Sequence, residues 1–295
     1  MNILRKITLT LAGVSKHPLY RGRPATAAAS FVYAQCRARL HRGPIRVDFP
    51  NDTVLEVSPW AKGAAHFIFP RLCEFEQMSF VMHYLRPGEL FVDAGANIGA
   101  YTVLAAGVAG ADVLAFEPSP RTFKQLQRNV EINHIAQRVR VIHAALGSGP
   151  GTLKLTDDLG TENYVVRGSD NGVDVPVAAL DDQLGQRTAR LMKVDVEGFE
   201  TEVFAGARRL LKAHDTMSMI VERNNSGERY GFDEDQLHES IRQAGFSPFA
   251  YDPFRRELTH LGPDQLGNLI YLRDFASARQ RLVAAPPFKI AGVAV

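Results

Sequence analysis

Between Leu90 and Leu272, short apolar runs alternate with amphipathic helical stretches, and this alternation leaves few folds open to the chain. Strands separated each time by a helix build a mostly parallel sheet covered by helices on both faces. Strands are predicted at Leu90 to Val92, Val113 to Phe116, Val139 to Ile142, Leu191 to Val194 and Met219 to Val221, with two more at Ser247 to Tyr251 and Asn268 to Leu272. Helices are predicted at Ala100 to Val108, Pro120 to Asn133, Phe199 to Lys212 and Glu234 to Ala244. In the second of these, Phe123, Leu126 and Val130 share one face, as a helix packed on a sheet requires. An insertion of alternating β character runs from Gly151 to Val177. The predicted class is therefore α/β, with a doubly wound, mostly parallel sheet.

Ahead of this domain, Ile45 to Phe49 and Thr53 to Val57 alternate in strand fashion around Pro50-Asn51-Asp52, whose residue types favour a tight turn. A β-hairpin is predicted there. Leu72, Phe75, Met78, Val81, Met82 and Leu85 then recur near a helical period until Pro87-Gly88 stops the element. These features divide the chain into an arm over 1–44, a hairpin extension over 45–70, a main domain over 71–273 and a tail over 274–295, the tail expected at the periphery.

Composition removes several function classes. With 295 residues, 45% hydrophobic and 22% charged, the chain has enough apolar material for one large domain or two small ones, and a disordered tail protein is excluded. Cys36 and Cys73 are too few for a disulfide framework or a structural zinc site, so a reducing, cytoplasmic setting is expected. No run of about 18 apolar residues is present, which excludes a spanning helix of that kind. Arg5-Lys6 followed by Ile7 to Ala12 has the order of a secretory leader, but its apolar core is short and polar, so that reading is rejected.

Charge is distributed unevenly. Residues 1–47 carry nine Lys or Arg and no Asp or Glu, whereas the remainder has 25 basic against 32 acidic residues. A solvated leader is the simplest account of the arm. Nucleic acid is not expected, because no aromatics interleave with the basic residues. Peripheral docking on an anionic membrane is the alternative: Ile3, Leu4, Ile7, Leu9 and Leu11 lie beside Arg5 and Lys6, and Ala25 to Leu40 is a candidate helix carrying Phe31, Val32 and Tyr33.

The chemistry concentrates at strand ends. Phe91-Val92-Asp93-Ala94-Gly95-Ala96-Asn97-Ile98-Gly99 is a strand that ends in an acid and passes through a Gly-bearing loop into a helix. It resembles the cofactor loop of class I (Rossmann-like) S-adenosylmethionine-dependent methyltransferases. Gly95 would let the backbone approach a ligand, Gly99 would permit close packing at the helix start, and Asp93 would face an ammonium. A dinucleotide pyrophosphate would be repelled by that acid, which argues against NAD. Glu117, in Phe116-Glu117-Pro118, ends the next strand and offers two oxygens to the hydroxyls of a ribose. By the same resemblance Ala96 and Asn97 belong to the cofactor loop, and Ala145, in Ala144-Ala145-Leu146, falls where related enzymes cover the adenine.

The third cluster is Leu191-Met192-Lys193-Val194-Asp195-Val196-Glu197-Gly198-Phe199-Glu200. Together with the first two motifs it resembles the FkbM-type methyltransferase family over roughly Glu89 to Arg273. That resemblance implies S-adenosylmethionine as cofactor and a hydroxyl of a sugar, glycolipid or other secondary metabolite as methyl acceptor. Attack by an alcohol is helped when a base takes its proton, and Asp195 or Glu197 is the candidate, with Lys193 orienting them or the acceptor. Glu222 is a rival base at the end of its own strand. Asp195 and Glu197 lack a convincing third ligand, so no metal is expected. Asn163 and Asn268 are candidate acceptor contacts, whereas Asp181-Asp182 reads as a turn start. The competing account is a non-catalytic module of the same fold that binds a membrane or partner through its arm.

Overall fold

Residues 17–40, 43–58, 65–69, 72–156, 163–166, 172–212 and 217–295 are described by a computed structural model; Ile3 to Ala12, named above, lie outside them. In chain order the strands are β1 (Ile45–Asp48), β2 (Val54–Val57), β3 (Leu90–Ala94), β4 (Asp112–Phe116), β5 (Val139–Ile142), β6 (Ala145–Leu146), β7 (Gly151–Leu155), β8 (Val165–Val166) and β9 (Val173–Ala178). They continue as β10 (Leu191–Val194), β11 (Ser218–Arg223), β12 (Ser247–Asp252), β13 (Glu257–His260), β14 (Gly267–Leu272), β15 (Lys289–Ile290) and β16 (Val293–Ala294).

Among the described residues one sheet has the order β13-β12-β14-β11-β10-β3-β4-β5. From β11 to β5 every pairing is parallel, and β14 enters antiparallel between β11 and β12. This is the expected doubly wound α/β sheet. The chain builds outward from β3 through β4 to β5, then returns to lay β10 on the other side of β3. The switch point falls between β3 and β10, and ligands of such sheets bind outside the strand ends at that point. β13 was not predicted: its side chains are mostly exposed and carry no apolar alternation, so only the hairpin with β12 defines it.

The predicted hairpin forms as β1 and β2, and Asn51 and Asp52 take the left-handed conformation that the turn needs (φ 53° and 60°). It is not a free extension. Asn129 and Asn133, four residues apart on the helix Pro120–Ile132 and its cap, treat the open edge of β2 as a partner strand would. Asn129 accepts from Glu56 N at 2.7 Å and donates to Glu56 O at 3.0 Å, while Asn133 accepts from Val54 N at 2.8 Å and donates to Val54 O at 2.7 Å. Satisfying an edge strand with side-chain amides removes the orphan groups that exposed edges carry.

Two expectations are corrected. The helix predicted over Phe199 to Lys212 is broken into Glu200–Ala205 and Arg208–Lys212. The break falls at Gly206, where a Cβ would lie 2.0 Å from the carbonyl oxygen of Gly147, so the chain turns there to let two backbones touch. Asp181 then caps the second piece, accepting from Arg209 N at 2.7 Å and Leu210 N at 3.1 Å. The tail expected at the periphery is part of the core: Ala278, Leu282, Phe288, Ile290 and Val295 are buried, and Arg281 bonds the carbonyl of Tyr84 and the carboxylate of Glu89.

Candidate active site

The loop after β3 turns through three left-handed residues, Gly95 (φ 78°), Asn97 (φ 54°) and Gly99 (φ 91°). Gly95 N and Ala96 N both donate to Phe116 O, at 3.1 and 2.9 Å, which clamps the loop to the end of β4. A Cβ on Gly95 would sit 1.9 Å from the carbonyl oxygen of Asp195. Gly95 is thus required by the approach of the neighbouring strand end, where the sequence suggested the approach of a ligand. Gly99 behaves as predicted, packing the helix start against Leu126.

Glu117 holds the two loops together. Its carboxylate accepts from Asn97 N and Ser119 N, each at 2.9 Å, one bond to each oxygen. Burial pushes its pKa up to about 7 against the pull of those bonds. Asp93 is placed differently from the expectation. It is buried beneath the loop, with Oδ2 accepting from Thr102 Oγ1 at 2.7 Å, and it does not face the open cleft. Its Oδ1 has no partner among the described residues, and burial raises its pKa.

Beside Asp93 in register stands Lys193 on β10, almost fully buried. Lys193 Nζ donates to Asp195 Oδ2 at 2.7 Å and lies 4.8 Å from the centre of the Tyr101 ring. Burial works to strip the ammonium of its proton, but the charges of Asp195, Glu74 and Asp93 outweigh it and hold the pKa above the ordinary value. Glu74, at the start of the helix Phe75–Tyr84, accepts from the Tyr101 hydroxyl. Its pKa is raised, by burial above all. Three carboxylates therefore share one ammonium at the switch point.

The next turn carries Glu197 (φ 55°) and Gly198 (φ 95°), whose Cβ would lie 2.5 Å from Ser226 O. Each of the two loops packed here is pinned by an acid from the following helix. Glu200 accepts from Val196 N (3.0 Å) and Gly198 N (3.3 Å), and Glu234 accepts from Asn225 N (2.9 Å) and Gly227 N (2.8 Å). Burial pushes the Glu200 carboxyl up to about 7.

Glu222, the rival base, sits on β11 behind this wall and outside the open cleft. Burial first, then the charges of Asp195 and Glu197, push its pKa up to about 9, so it holds its proton at neutral pH. A carboxyl raised in the folded state from an ordinary 4.5 contributes stability that is full below 4.5 and lost as pH rises through the folded value. Glu222→Gln cannot ionise and escapes that loss. Its unfolding free energy relative to the parent should rise by on the order of 2 kcal/mol between pH 5 and pH 8 in denaturant titrations. A difference that does not change with pH would remove Glu222 from the buried cluster.

These elements surround a cleft that opens to solvent and encloses about 140 Å³ between its walls. Its walls bring together Gly95, Ala96, Asn97, Glu117, Ala145, Lys193, Asp195 and Glu197 of the predicted residues, and Asn163 from the insertion. Asp93, Gly99, Glu222 and Asn268 are not on the walls. Glu74, Tyr101 and Phe67 are, and none of the three was singled out from the sequence. Glu74 precedes β3 and belongs to no strand-end motif; an acid before a helix reads only as a cap. The insertion forms its own sheet, β6-β9-β7-β8, and contributes Ala145, Leu146, Leu155 and Val165 to the wall. Among the described residues, no group of three or more His, Cys, Asp or Glu is arranged to hold a metal ion.

The model of the FkbM methyltransferase domain matches residues 93–248. The chain belongs to the FkbM methyltransferase family. Methyltransferase sdnD of Sordaria araneosa is 30% identical over 183 residues, 50% of this chain and 70% of that protein. Methyltransferase 1 of Beauveria bassiana (strain ARSEF 2860) is 28% identical over 188 residues, covering 55% and 74%. The 31-O-demethyl-FK506 methyltransferase FkbM of Streptomyces tacrolimicus is 27% identical over 183 residues, covering 49% and 69%.

The methyl donor of this FkbM-family chain is S-adenosylmethionine. The walls fit it. Each oxygen of Glu117 accepts one backbone N–H and keeps a further lone pair, so the carboxylate can take two hydroxyl donors on the cleft side. Ala144 and Ala145 offer small apolar surface to a flat ring. Among the described residues of the wall, Glu74, Glu117, Asp195 and Glu197 stand with one ammonium, that of Lys193, so the wall offers more acid than base to a cationic donor.

Proposed function

We propose that this methyltransferase acts on a hydroxyl oxygen of a sugar, glycolipid or other secondary metabolite, with Asp195 as the general base. The observation that carries this reading is the Lys193–Asp195 pair at the wall. One carboxylate oxygen is held at 2.7 Å by a buried ammonium, and the other is left for an acceptor.

When bound, S-adenosylmethionine supplies an electrophilic methyl on a sulfonium. The chain's own task is to hold an alcohol in line and receive its proton. Lys193 fixes the direction of Asp195 and is itself locked by burial and the Tyr101 ring. Glu74 and Asp93 stand close enough for their charges to act on the same ammonium, so Lys193 and Asp195 sit in one cluster of acids around a single cation. Glu74, Glu117, Asp195 and Glu197 together oppose a phosphorylated or carboxylated acceptor and favour a neutral polyol. The Streptomyces tacrolimicus relative is named for a 31-O-demethyl acceptor, which supports oxygen over nitrogen.

The test is to incubate the full chain with donor carrying a deuterated methyl and with matched acceptors that bear only hydroxyls, only amines, or hydroxyls plus a phosphate. Mass spectrometry should find label on the neutral hydroxyl compounds. Label confined to the amines, or to the phosphorylated set, would overturn the reading.

A further inference from the structure

The helix Pro24–Leu40 is apolar on two opposite sides. One side is packed: Ala27 and Ala34 are buried, and Phe31 meets Phe69 edge to face at 5.8 Å. The other presents Ala25, Ala29, Val32, Tyr33, Cys36 and Leu40 to the outside, at spacings of three and four that keep them on one stripe. Val32, Tyr33 and Leu40 are 54%, 65% and 81% exposed. Among the described residues nothing covers them. An exposed apolar stripe of this kind marks a surface that meets another body.

Charge says which body. The stripe lies in a stretch of 47 residues with nine Lys or Arg and no acid, inside a chain whose remainder is net acidic. Arg21 and Arg23 stand exposed at the start of the helix and Arg37 flanks the stripe within it. A helix with lipid-sized side chains along one face, Arg21, Arg23 and Arg37 beside it and no acid in its own stretch of sequence matches an anionic bilayer surface, with the apolar stripe among the acyl chains and the arginines at the headgroups. Its 17 residues correspond to about 25 Å of helix lying along the surface. Among the described residues no helix is long and apolar enough to cross a membrane. The packed side leads back to the cleft: Phe69 stacks on Tyr20 at 4.9 Å, and Phe67, two residues earlier, is part of the cleft wall.

We propose that Pro24–Leu40 docks the protein on anionic lipid bilayers through its outer stripe. The proposal is independent of which acceptor is methylated.

The experiment is flotation of the full chain with vesicles of phosphatidylcholine, with and without a third of phosphatidylglycerol. Binding to the anionic vesicles only, weakened by salt, is expected. The triple variant Val32→Ser, Tyr33→Ser, Leu40→Ser removes apolar contact from already exposed positions. It should lose on the order of tenfold or more in vesicle affinity. Arg21→Gln with Arg23→Gln should lose about fivefold for each charge. Circular dichroism and donor binding should match the parent in both variants. Any of these results would overturn the proposal: no difference between the two vesicle types, unchanged binding by the triple variant, or a dimer in gel filtration that the triple variant splits while vesicles are ignored. The last would make the stripe a contact between two copies. Retention of anionic binding by the triple variant with loss on deleting residues 1–16 would move docking to the preceding segment and equally overturn it.

Discussion

Asp195→Asn should lower kcat by about two to four orders of magnitude while leaving the affinity for S-adenosylmethionine within a few-fold of the parent, as expected when a general base is removed. Asparagine keeps an oxygen for the 2.7 Å bond from Lys193, so geometry is preserved and only the proton acceptor is lost. The separation of turnover from donor binding is the diagnostic part. A structural role for Asp195 would disturb both, because its carbonyl packs against Gly95 of the donor loop. Turnover near the parent value would instead shift the role to Glu197 or Glu74, carboxylates on the same wall, and the corresponding Gln variants would decide between them.

Glu117→Gln is expected to do the opposite, weakening donor binding by about two orders of magnitude or more, since two charge-assisted hydrogen bonds to hydroxyls are worth about 1.5–3 kcal/mol each. A pH signature accompanies it. The carboxyl rests at about 7 in the free protein, and hydroxyl donors favour its charged form. Donor binding should therefore release a proton near neutrality, and affinity should fall as pH drops below about 7. Calorimetry in two buffers of different ionisation enthalpy reads the proton directly. Glu117→Gln should abolish the buffer dependence along with the affinity. Unchanged affinity in the variant would take the carboxylate out of the donor site.

The sheet was legible because buried parallel strands and their covering helices print two different periods on the chain, and the acids at Asp93, Glu117 and Asp195 mark where those strands stop. What was hidden depends on contacts between distant segments. Gln125, Asn129 and Asn133 look like the wet face of a helix, yet Asn129 and Asn133 close the edge of β2 and Gln125 donates to Glu56 O. Glu200 and Glu234 look like ordinary acids of a first helical turn, yet each fastens the loop before it. Asp93 is the instructive case. Its place at the end of a strand was readable, but which side of the loop the carboxylate occupies depends on Thr102 and Lys193, and neither distance is written in local pattern.

The insertion sheet has a consequence for how such an enzyme can be altered. Among the described residues its strands hydrogen-bond among themselves and do not share a ladder with the strands that end at Asp93, Glu117 and Asp195. It nevertheless supplies Asn163 and Val165 to the wall of the cleft. Selection acting on this patch can resculpt what is methylated while the machinery that holds the donor stays as it is. Transplanting the span from Gly151 to Ala178 between relatives, which leaves Ala145 in place, is accordingly the exchange by which one donor site would be given a new repertoire.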